Sequence, residues 1–212
     1  MGRLFITFEG IEGAGKSTQI ALLKDRLEAG GHEVVVTREP GGTWVGAQIR
    51  KIALDSSTGE LNPVTELFLF SAARSELVST VIKPALTGGK IVLCDRFTDS
   101  SLAYQGYGRR VEKKIIENVI TLACGGVFPG LTILLDLPVE KGLKRSRDRL
   151  SKEKSNEGRF ERENQEFHER VRAGFLEIAA ACPERVKVIE ATGSPEVISK
   201  KVWGIIEKVI LG

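Results

Sequence analysis

Five short runs of apolar residues recur along the chain, and each is nearly continuous in apolar character. They cover residues 4–9, 34–38, 91–95, 131–136 and 186–190. A strand that is apolar on both of its faces is covered on both sides, as strands are in a parallel sheet. The pattern therefore predicts five buried strands.

Between these runs, apolar residues recur at the spacing of amphipathic helices. The predicted helices cover residues 17–29, 63–86, 111–123, 139–150, 160–181 and 195–211. Alternating strands and helices predict an α/β fold, with a five-stranded parallel sheet and helices on both faces. Ligands of such folds bind at the carboxyl ends of the strands. No internal repeat or Pro-rich linker interrupts the pattern, so we predict one domain over residues 1–212.

The first apolar run leads directly into GIEGAGKS, residues 10–17, which fits the phosphate-loop pattern G-x-x-x-x-G-K-S/T. Glycines let this P-loop approach phosphate oxygens closely, and the following helix adds its positive N-terminus. Lys16 is expected to contact the β- and γ-phosphates, and the Ser17 hydroxyl to ligate Mg²⁺. The motif predicts a P-loop NTPase fold, but GTPases, ATPase motors, small-molecule kinases and DNA-associated ATPases all share it. The predicted ATP-binding residues are Gly10, Ile11, Glu12, Gly13, Ala14, Gly15, Lys16, Ser17 and Thr18.

Charged residues follow the second and third predicted strands. The segment TREPGGT, residues 37–43, puts Arg38 at the carboxyl edge of the sheet, where it either pairs with a neighbour such as Glu39 or binds an anion. The segment CDRFTDSSLAYQG, residues 94–106, ends the third strand with Asp95 and Arg96. A carboxylate at this position suits Mg²⁺, directly or through water, and a guanidinium suits a phosphate. Either residue could instead be structural.

Phe70 and Arg74 lie four positions apart in a predicted helix and therefore share one face of it. A ring beside a planar guanidinium can hold a flat base. The structural alternative is a core phenylalanine beside a surface arginine.

Residues 141–154 carry seven basic side chains against two acidic ones, and the polar stretch that follows contains Gly158. One interpretation is a solvated helical hairpin. The other is a mobile lid, at about residues 141–160, whose arginines close over phosphates.

Composition narrows the classes of protein. The net charge of +3 is too small to predict binding to nucleic acid or to a membrane surface. The three cysteines are widely spaced and the chain has only two histidines, which argues against a disulfide framework and a histidine-based metal site. No run reaches the ~18 apolar residues that a membrane span needs, and no secretory leader is apparent. We therefore expect a cytoplasmic protein without nucleic-acid or membrane partners.

In this order, the motifs resemble those of the thymidylate kinase family, which transfers the γ-phosphoryl group of ATP to dTMP. The resemblance covers about residues 4–210 and includes the P-loop, TREPGGT, Phe70-x-x-x-Arg74, DRF followed by SxxYQG, and the arginine-rich lid. Gly13 in the loop is similar to the bacterial type, in which the lid supplies the catalytic basic residues. The resemblance implies ATP and dTMP as substrates, Mg²⁺ as cofactor and a homodimer packed through helices.

The resemblance also implies roles for single residues. Glu12 is expected to hold the 3′-hydroxyl of dTMP, Phe70 to stack on thymine and Arg74 to lie against the base edge. The expected dTMP-binding residues are Glu12, Arg38, Phe70, Arg74, Arg96, Ser101, Tyr104 and Gln105. The expected catalytic residues are Lys16, Asp95, Arg96, Arg147 and Arg149. Among the lid arginines, Arg149 matches the family best and Arg147 is next, with Arg145 as a further candidate.

Two features differ from the family pattern, and the roles of some residues are undecided. Phe97 stands where Tyr or His is more usual, and the lid is longer than in some relatives. Glu9 is expected to support either the loop or Mg²⁺, and residues 191–195 to border adenine. The apolar spacing of Leu67, Phe70, Leu77 and Val81 suits either a dimer interface or the core. Two rival functions are a kinase of another nucleoside monophosphate and a P-loop ATPase that hydrolyses ATP without an acceptor.

Overall fold

The structure, a computed structural model, describes residues 4–211. Its five strands are β1 (Phe5–Glu9), β2 (Val34–Arg38), β3 (Ile91–Asp95), β4 (Leu131–Asp136) and β5 (Val186–Glu190). They form one parallel sheet in the order β2-β3-β1-β4-β5. The predicted fold class is confirmed, and only the first strand begins one residue later than expected.

Helices connect the strands. They are α1 (Lys16–Ala29), α2 (Trp44–Leu54), α3 (Pro63–Leu77), α4 (Lys83–Thr87), α5 (Thr98–Ser101), α6 (Lys113–Cys124), α7 (Val139–Glu153), α8 (Gln165–Ala181) and α9 (Pro195–Leu211). π-Helical segments, Val78–Ile82 and Leu102–Gly108, join α3 to α4 and extend α5. Within residues 4–211, no helix combines the length and the apolar character that crossing a membrane requires.

The structure divides one predicted helix and contains another that the pattern did not predict. The pattern over residues 160–181 divides into a short 3₁₀ turn, Phe160–Arg162, and α8, because Asn164 caps α8 by accepting a hydrogen bond from the Phe167 amide at 2.8 Å. The sequence analysis also missed α2, which begins where the Thr43 side chain accepts a hydrogen bond from the Gly46 amide at 2.9 Å.

Both faces of the sheet are covered by apolar layers. Ile6 and Phe8 of β1 pack in one layer with residues of α1 and α9. Phe5 packs in the other layer with residues of α3 and α6, among them Leu77 and Ile116. Because both faces are buried, functional groups are left to the carboxyl edge, where Glu9, Asp95 and Asp136 end their strands.

Candidate functional site

A cavity of about 1010 Å³ opens at the carboxyl edge of the sheet. The P-loop, the ends of β2 and β3, α3, the segment after β3 and α7 all contribute to its walls. Among the predicted site residues, the lining includes Glu12, Gly13, Ala14, Gly15, Lys16, Ser17, Thr18, Arg38, Phe70, Arg74, Asp95, Arg96, Ser101, Tyr104, Gln105 and Arg149. The predicted residues outside this lining are Gly10, Ile11 and Arg147.

The P-loop holds its lysine with its own backbone. Lys16 is 7% exposed, and its Nζ donates hydrogen bonds to the carbonyls of Gly10 at 3.1 Å and Ile11 at 3.0 Å. Burial and the nearby charge of Arg96 lower the pKa of Lys16 to about 8, although neighbouring carboxylates oppose the shift. Gly10 and Ile11 therefore position Lys16 through their carbonyl oxygens.

Ser17 and Asp95 lie together where α1 begins and β3 ends. The Ser17 hydroxyl donates a hydrogen bond to Asp95 Oδ2 at 3.0 Å. Among the residues that the structure describes, no three His, Cys, Asp or Glu side chains form a metal-binding cluster. A hydroxyl and a carboxylate are hard oxygen donors that fit Mg²⁺, an ion that usually keeps water and takes few protein ligands at nucleotide sites.

Arg96 joins the end of β3 to the P-loop. Its φ of 70° is uncommon for a residue with a side chain, and several contacts hold it there. Its amide donates to the Phe8 carbonyl at 3.0 Å, and its guanidinium donates to the Gly10 carbonyl at 2.9 Å and to Glu12 Oε1 at 3.1 Å. The guanidinium also lies 5.0 Å from the centre of the Tyr104 ring.

Glu12 has its two carboxylate oxygens in different surroundings. Oε1 accepts hydrogen bonds from the Tyr104 hydroxyl at 2.5 Å and from Arg96, whereas Oε2 is buried 3.5 Å from Nδ1 of His168. Burial would raise the pKa of Glu12, but the His168 imidazole and the charges of Arg96 and Lys16 together hold it well below its usual range. The loop therefore presents an ionised carboxylate beside its phosphate-binding end.

Phe70 and Arg74 both line the cavity. The structural alternative was a buried phenylalanine beside an exposed arginine, but the arginine is the more buried of the two. Arg74 is 2% exposed, whereas Phe70 is half-buried. The Arg74 guanidinium donates to Glu39 at 2.9 Å, to the Phe97 carbonyl at 3.1 Å and to the Ser101 hydroxyl at 2.9 Å. Its Nη1 is buried and has no hydrogen-bond partner in the described part of the chain. Arg74 is thus a fixed guanidinium with one donor group left over.

Arg38 does not form the ion pair with Glu39 that was its structural alternative. Glu39 is buried and pairs with Arg74 at 2.8 Å. Arg38 is exposed and lies in the cavity lining. Arg38 therefore lies at the cavity without Glu39 as its partner, and its binding of an anion stays a prediction.

The predicted lid region, at about residues 141–160, begins in the helix α7, which packs on the P-loop through two glycines. A side chain at Gly13, which has a φ of 71°, would collide with the carbonyl of Gly142 in α7. Arg145 and Arg149 are exposed on α7 and reach the cavity lining. Arg147 instead donates to the carbonyl of Glu161 at 3.0 Å.

The segment after α7 is bound to α3 by a buried ion pair. Arg159 Nη2 lies 2.6 Å from Glu66 Oε2, and these side chains are 5% and 0% exposed. Glu66 also accepts hydrogen bonds from Gln105 at 2.7 Å and from Arg109 at 3.3 Å. Gln105 is therefore held by Glu66 from behind the cavity wall.

Sequence reasoning missed Glu66 and His168. Glu66 resembles an ordinary acidic residue in the first turn of a helix, and His168 stands alone on an otherwise apolar face of α8. A polar residue at a position that the periodicity assigns to the core was the available signal for His168.

Comparisons with known proteins show which family the chain resembles along its length. The model of the thymidylate kinase family matches residues 8–202. The chain is 48% identical over 209 residues to the thymidylate kinase of Solidesulfovibrio magneticus, covering 98% of this chain and 100% of that protein. It is 54% identical over 190 residues to the thymidylate kinase of Citrifermentans bemidjiense, covering 89% and 84%.

The fold agrees as well. The crystal structure of thymidylate kinase from Ehrlichia chaffeensis superposes with a TM-score of 0.78 at 34% sequence identity, covering 98% of this chain and 100% of that one. Because matching sequence and matching fold both extend over nearly the whole length, the chain belongs to the thymidylate kinase family.

Proposed function

We propose that this protein transfers the γ-phosphoryl group of ATP to dTMP, giving dTDP and ADP for the synthesis of dTTP. The observation that carries the proposal is one cavity lined both by phosphate-binding residues and by residues that suit a base. The lining includes Lys16 of a phosphate-binding loop, and it also includes Phe70 and Arg74, whose Nη1 is a spare donor. Membership of the thymidylate kinase family supports the same pair of substrates.

Six of the eight residues predicted to bind dTMP have a task that suits their surroundings. Phe70 presents a half-buried ring for the base, and Arg74 Nη1 can donate to a carbonyl oxygen of thymine. Arg38 and Arg96 supply positive charge for the acceptor phosphate. Glu12 can accept a hydrogen bond from a sugar hydroxyl while Tyr104 lies against the same sugar.

The reaction needs positioning and charge neutralisation more than covalent chemistry, because a phosphate oxygen of dTMP is the nucleophile. Lys16 would contact the β- and γ-phosphates, and Arg149, with Arg145 one turn earlier on α7, would approach the transferring group from the lid. Ser17 and Asp95 would hold Mg²⁺, whose charge offsets that of the ATP phosphates when it is bound.

An ADP-release assay tests the proposal, with dTMP, UMP, dAMP and dGMP as separate acceptors and one reaction without acceptor. We expect turnover with dTMP and almost none without a monophosphate. Equal kcat/KM values for dTMP and UMP would overturn the assignment of dTMP as the substrate. Turnover without any acceptor would favour the rival ATPase, and preference for a purine monophosphate would favour the other rival.

We further propose a homodimer formed through α3 and α6, in the cytoplasm where ATP and dTMP are present. Leu67 and Leu77 are fully buried, so these two residues of the predicted apolar set serve the core. The outward faces of the two packed helices carry Phe68, 57% exposed, and Leu122, 85% exposed. Light scattering after gel filtration should give twice the chain mass, and Phe68→Ser should shift the equilibrium toward monomer; a monomeric wild type would exclude the dimer.

A further inference from the structure

His168 is completely buried in α8 and lies between two segments that are far apart in the sequence. Its Nε2 is 3.0 Å from the carbonyl oxygen of Phe160, in the turn that follows the lid helix. Its Nδ1 is 3.5 Å from Oε2 of Glu12 in the P-loop. The ring therefore bridges the end of the lid region and the P-loop.

The chemistry of these partners defines what the ring must do. A carbonyl oxygen only accepts hydrogen bonds, so Nε2 carries a hydrogen and donates it to Phe160. A hydrogen on Nδ1 makes that nitrogen a donor toward the carboxylate of Glu12, whereas a bare Nδ1 would set its lone pair against a negative charge. The bridge is thus stabilised when the ring donates from both nitrogens.

The two oxygens of Glu12 depend on His168 unequally. Oε1 has the Tyr104 hydroxyl and Arg96 as partners. Oε2 is buried, and no group in residues 4–211 makes a hydrogen bond of normal geometry to it; Nδ1 of the His168 ring lies 3.5 Å away. Without His168, the carboxylate could rotate to bring Oε2 toward Arg96 and leave its orientation undefined.

We propose that His168 is a positioning residue for the phosphoryl acceptor, because it fixes the orientation of the Glu12 carboxylate from the α8 side. This inference rests on the proposed function, since it assigns Glu12 to the acceptor. Lys16 is held by other groups, the carbonyls of Gly10 and Ile11. A defect at His168 is therefore expected in dTMP binding and not in ATP binding.

Two substitutions separate the two halves of the bridge. The amide nitrogen of Asn occupies about the position of Nδ1, and that of Gln about the position of Nε2. His168→Asn keeps a donor toward Glu12 and loses the one toward Phe160, whereas His168→Gln does the reverse. We expect His168→Gln to raise the KM for dTMP about tenfold or more, because this variant has no donor facing the charged carboxylate of Glu12. We expect the KM of His168→Asn to stay within about threefold of wild type. The KM for ATP should stay unchanged in both.

The opposite ranking, with Gln tolerated and Asn impaired, would assign the ring to holding Phe160 alone and would overturn the proposal. Unchanged KM values for dTMP in both variants would overturn it as well. In a Glu12→Gln background, His168→Gln should add no further loss, and full additivity would contradict the coupling. If wild type did not phosphorylate dTMP, the proposed function would fail first, whereas an active wild type with unaffected variants refutes only the role of His168.

A measurement on the unsubstituted residue covers the case in which either variant folds poorly. The chain has only two histidines, so ¹⁵N-labelled histidine gives a simple NMR spectrum. Glu12→Gln should shift the Nδ1 resonance of one ring and leave the other in place. A spectrum identical to wild type would contradict a contact between His168 and Glu12.

Discussion

Glu12 is an acid in a loop that binds anions, and its neighbours explain how it stays there. Arg96 lies 3.1 Å from one carboxylate oxygen, and the Tyr104 hydroxyl donates to the same oxygen. These contacts and His168 keep the carboxylate ionised although it is largely buried. Its negative charge is therefore offset locally, and its carboxylate oxygens suit the acceptor role toward the sugar that we propose.

Glu12→Gln tests this role at the level of one atom. The amide keeps the shape but loses the charge and one acceptor, so we expect kcat/KM for dTMP to fall about 10- to 100-fold. The KM for ATP should change by less than about threefold, because the loop amides and Lys16 remain. Steady-state kinetics with each substrate varied in turn will check this, and an unchanged dTMP titration would refute the role.

Glu9 gives a prediction about stability and pH. Its side chain is fully buried and accepts hydrogen bonds from the Phe97 amide at 2.8 Å and from the Ser100 hydroxyl at 2.6 Å. Burial and the nearby carboxylate of Asp99 raise the pKa of Glu9 to about 7, against an ordinary value of 4.5. Between these values the folded protein binds more protons than the unfolded chain, so this group's stabilisation is lost as pH rises toward 7.

Glu9→Gln removes that titration. We expect the difference in free energy of unfolding, wild type minus variant, to decrease between pH 5 and pH 8 by up to about 3 kcal/mol. Urea unfolding of both proteins at the two pH values measures the difference, since the other ionisable groups are shared. Parallel pH dependences would show that Glu9 is not protonated in the folded protein.

At the level of elements, α7 and the P-loop pack closely against one another. Gly13 and Gly142 lie so close that a side chain on either would strike the backbone of the other segment. This contact places the arginines of α7 at a defined height over the phosphate-binding loop. Arg145 and Arg149, four positions apart, face the cavity from it.

Arg149→Ala and Arg147→Ala are a matched pair on this helix. We expect Arg149→Ala to lower kcat about 10²-fold or more with little change in the KM for ATP, because its charge acts on the transferring group. Arg147→Ala should cost about 1 kcal/mol of stability through its lost bond to the Glu161 carbonyl and change kcat only a few-fold. A coupled ADP-release assay measures kcat for both variants. A larger loss of kcat in Arg147→Ala than in Arg149→Ala would assign the catalytic role to Arg147.

The elements also show why some structure could be predicted and some could not. The strands are continuous apolar runs, so their positions are predictable to within a residue. Helix α2 was not predicted, because Trp44, Val45 and Ile52 are exposed and its apolar residues therefore do not lie on one face. The π-helical segment Leu102–Gly108 has no 3.6-residue period to detect.

The P-loop and the residues after β3 were identifiable because each motif is local, whereas the pair of Glu66 and Arg159 joins positions 93 residues apart.

Over the whole molecule, buried charges connect the lid region to the body. Glu66 of α3 meets Arg159 of the segment after α7 and Gln105 of the segment after β3. Arg109 then links Glu66 to Glu163, which lies 2.7 Å from it. One carboxylate thereby compensates the charges of two arginines from different parts of the chain, so its removal should lower the stability of the whole protein.

Glu66→Ala and Glu163→Ala test this arrangement with two acids that share Arg109. Glu66 is completely buried, so its removal leaves Arg159 without its anionic partner and should lower the free energy of unfolding by about 3–5 kcal/mol. Glu163 is 24% exposed and water can replace it, so its removal should cost about 1 kcal/mol or less. Urea unfolding at pH 7 measures both, and hydrogen exchange over residues 154–162 should accelerate in Glu66→Ala alone. Equal losses in the two variants would mean that the lid region is held to the body by its backbone hydrogen bonds and not by the buried ion pair.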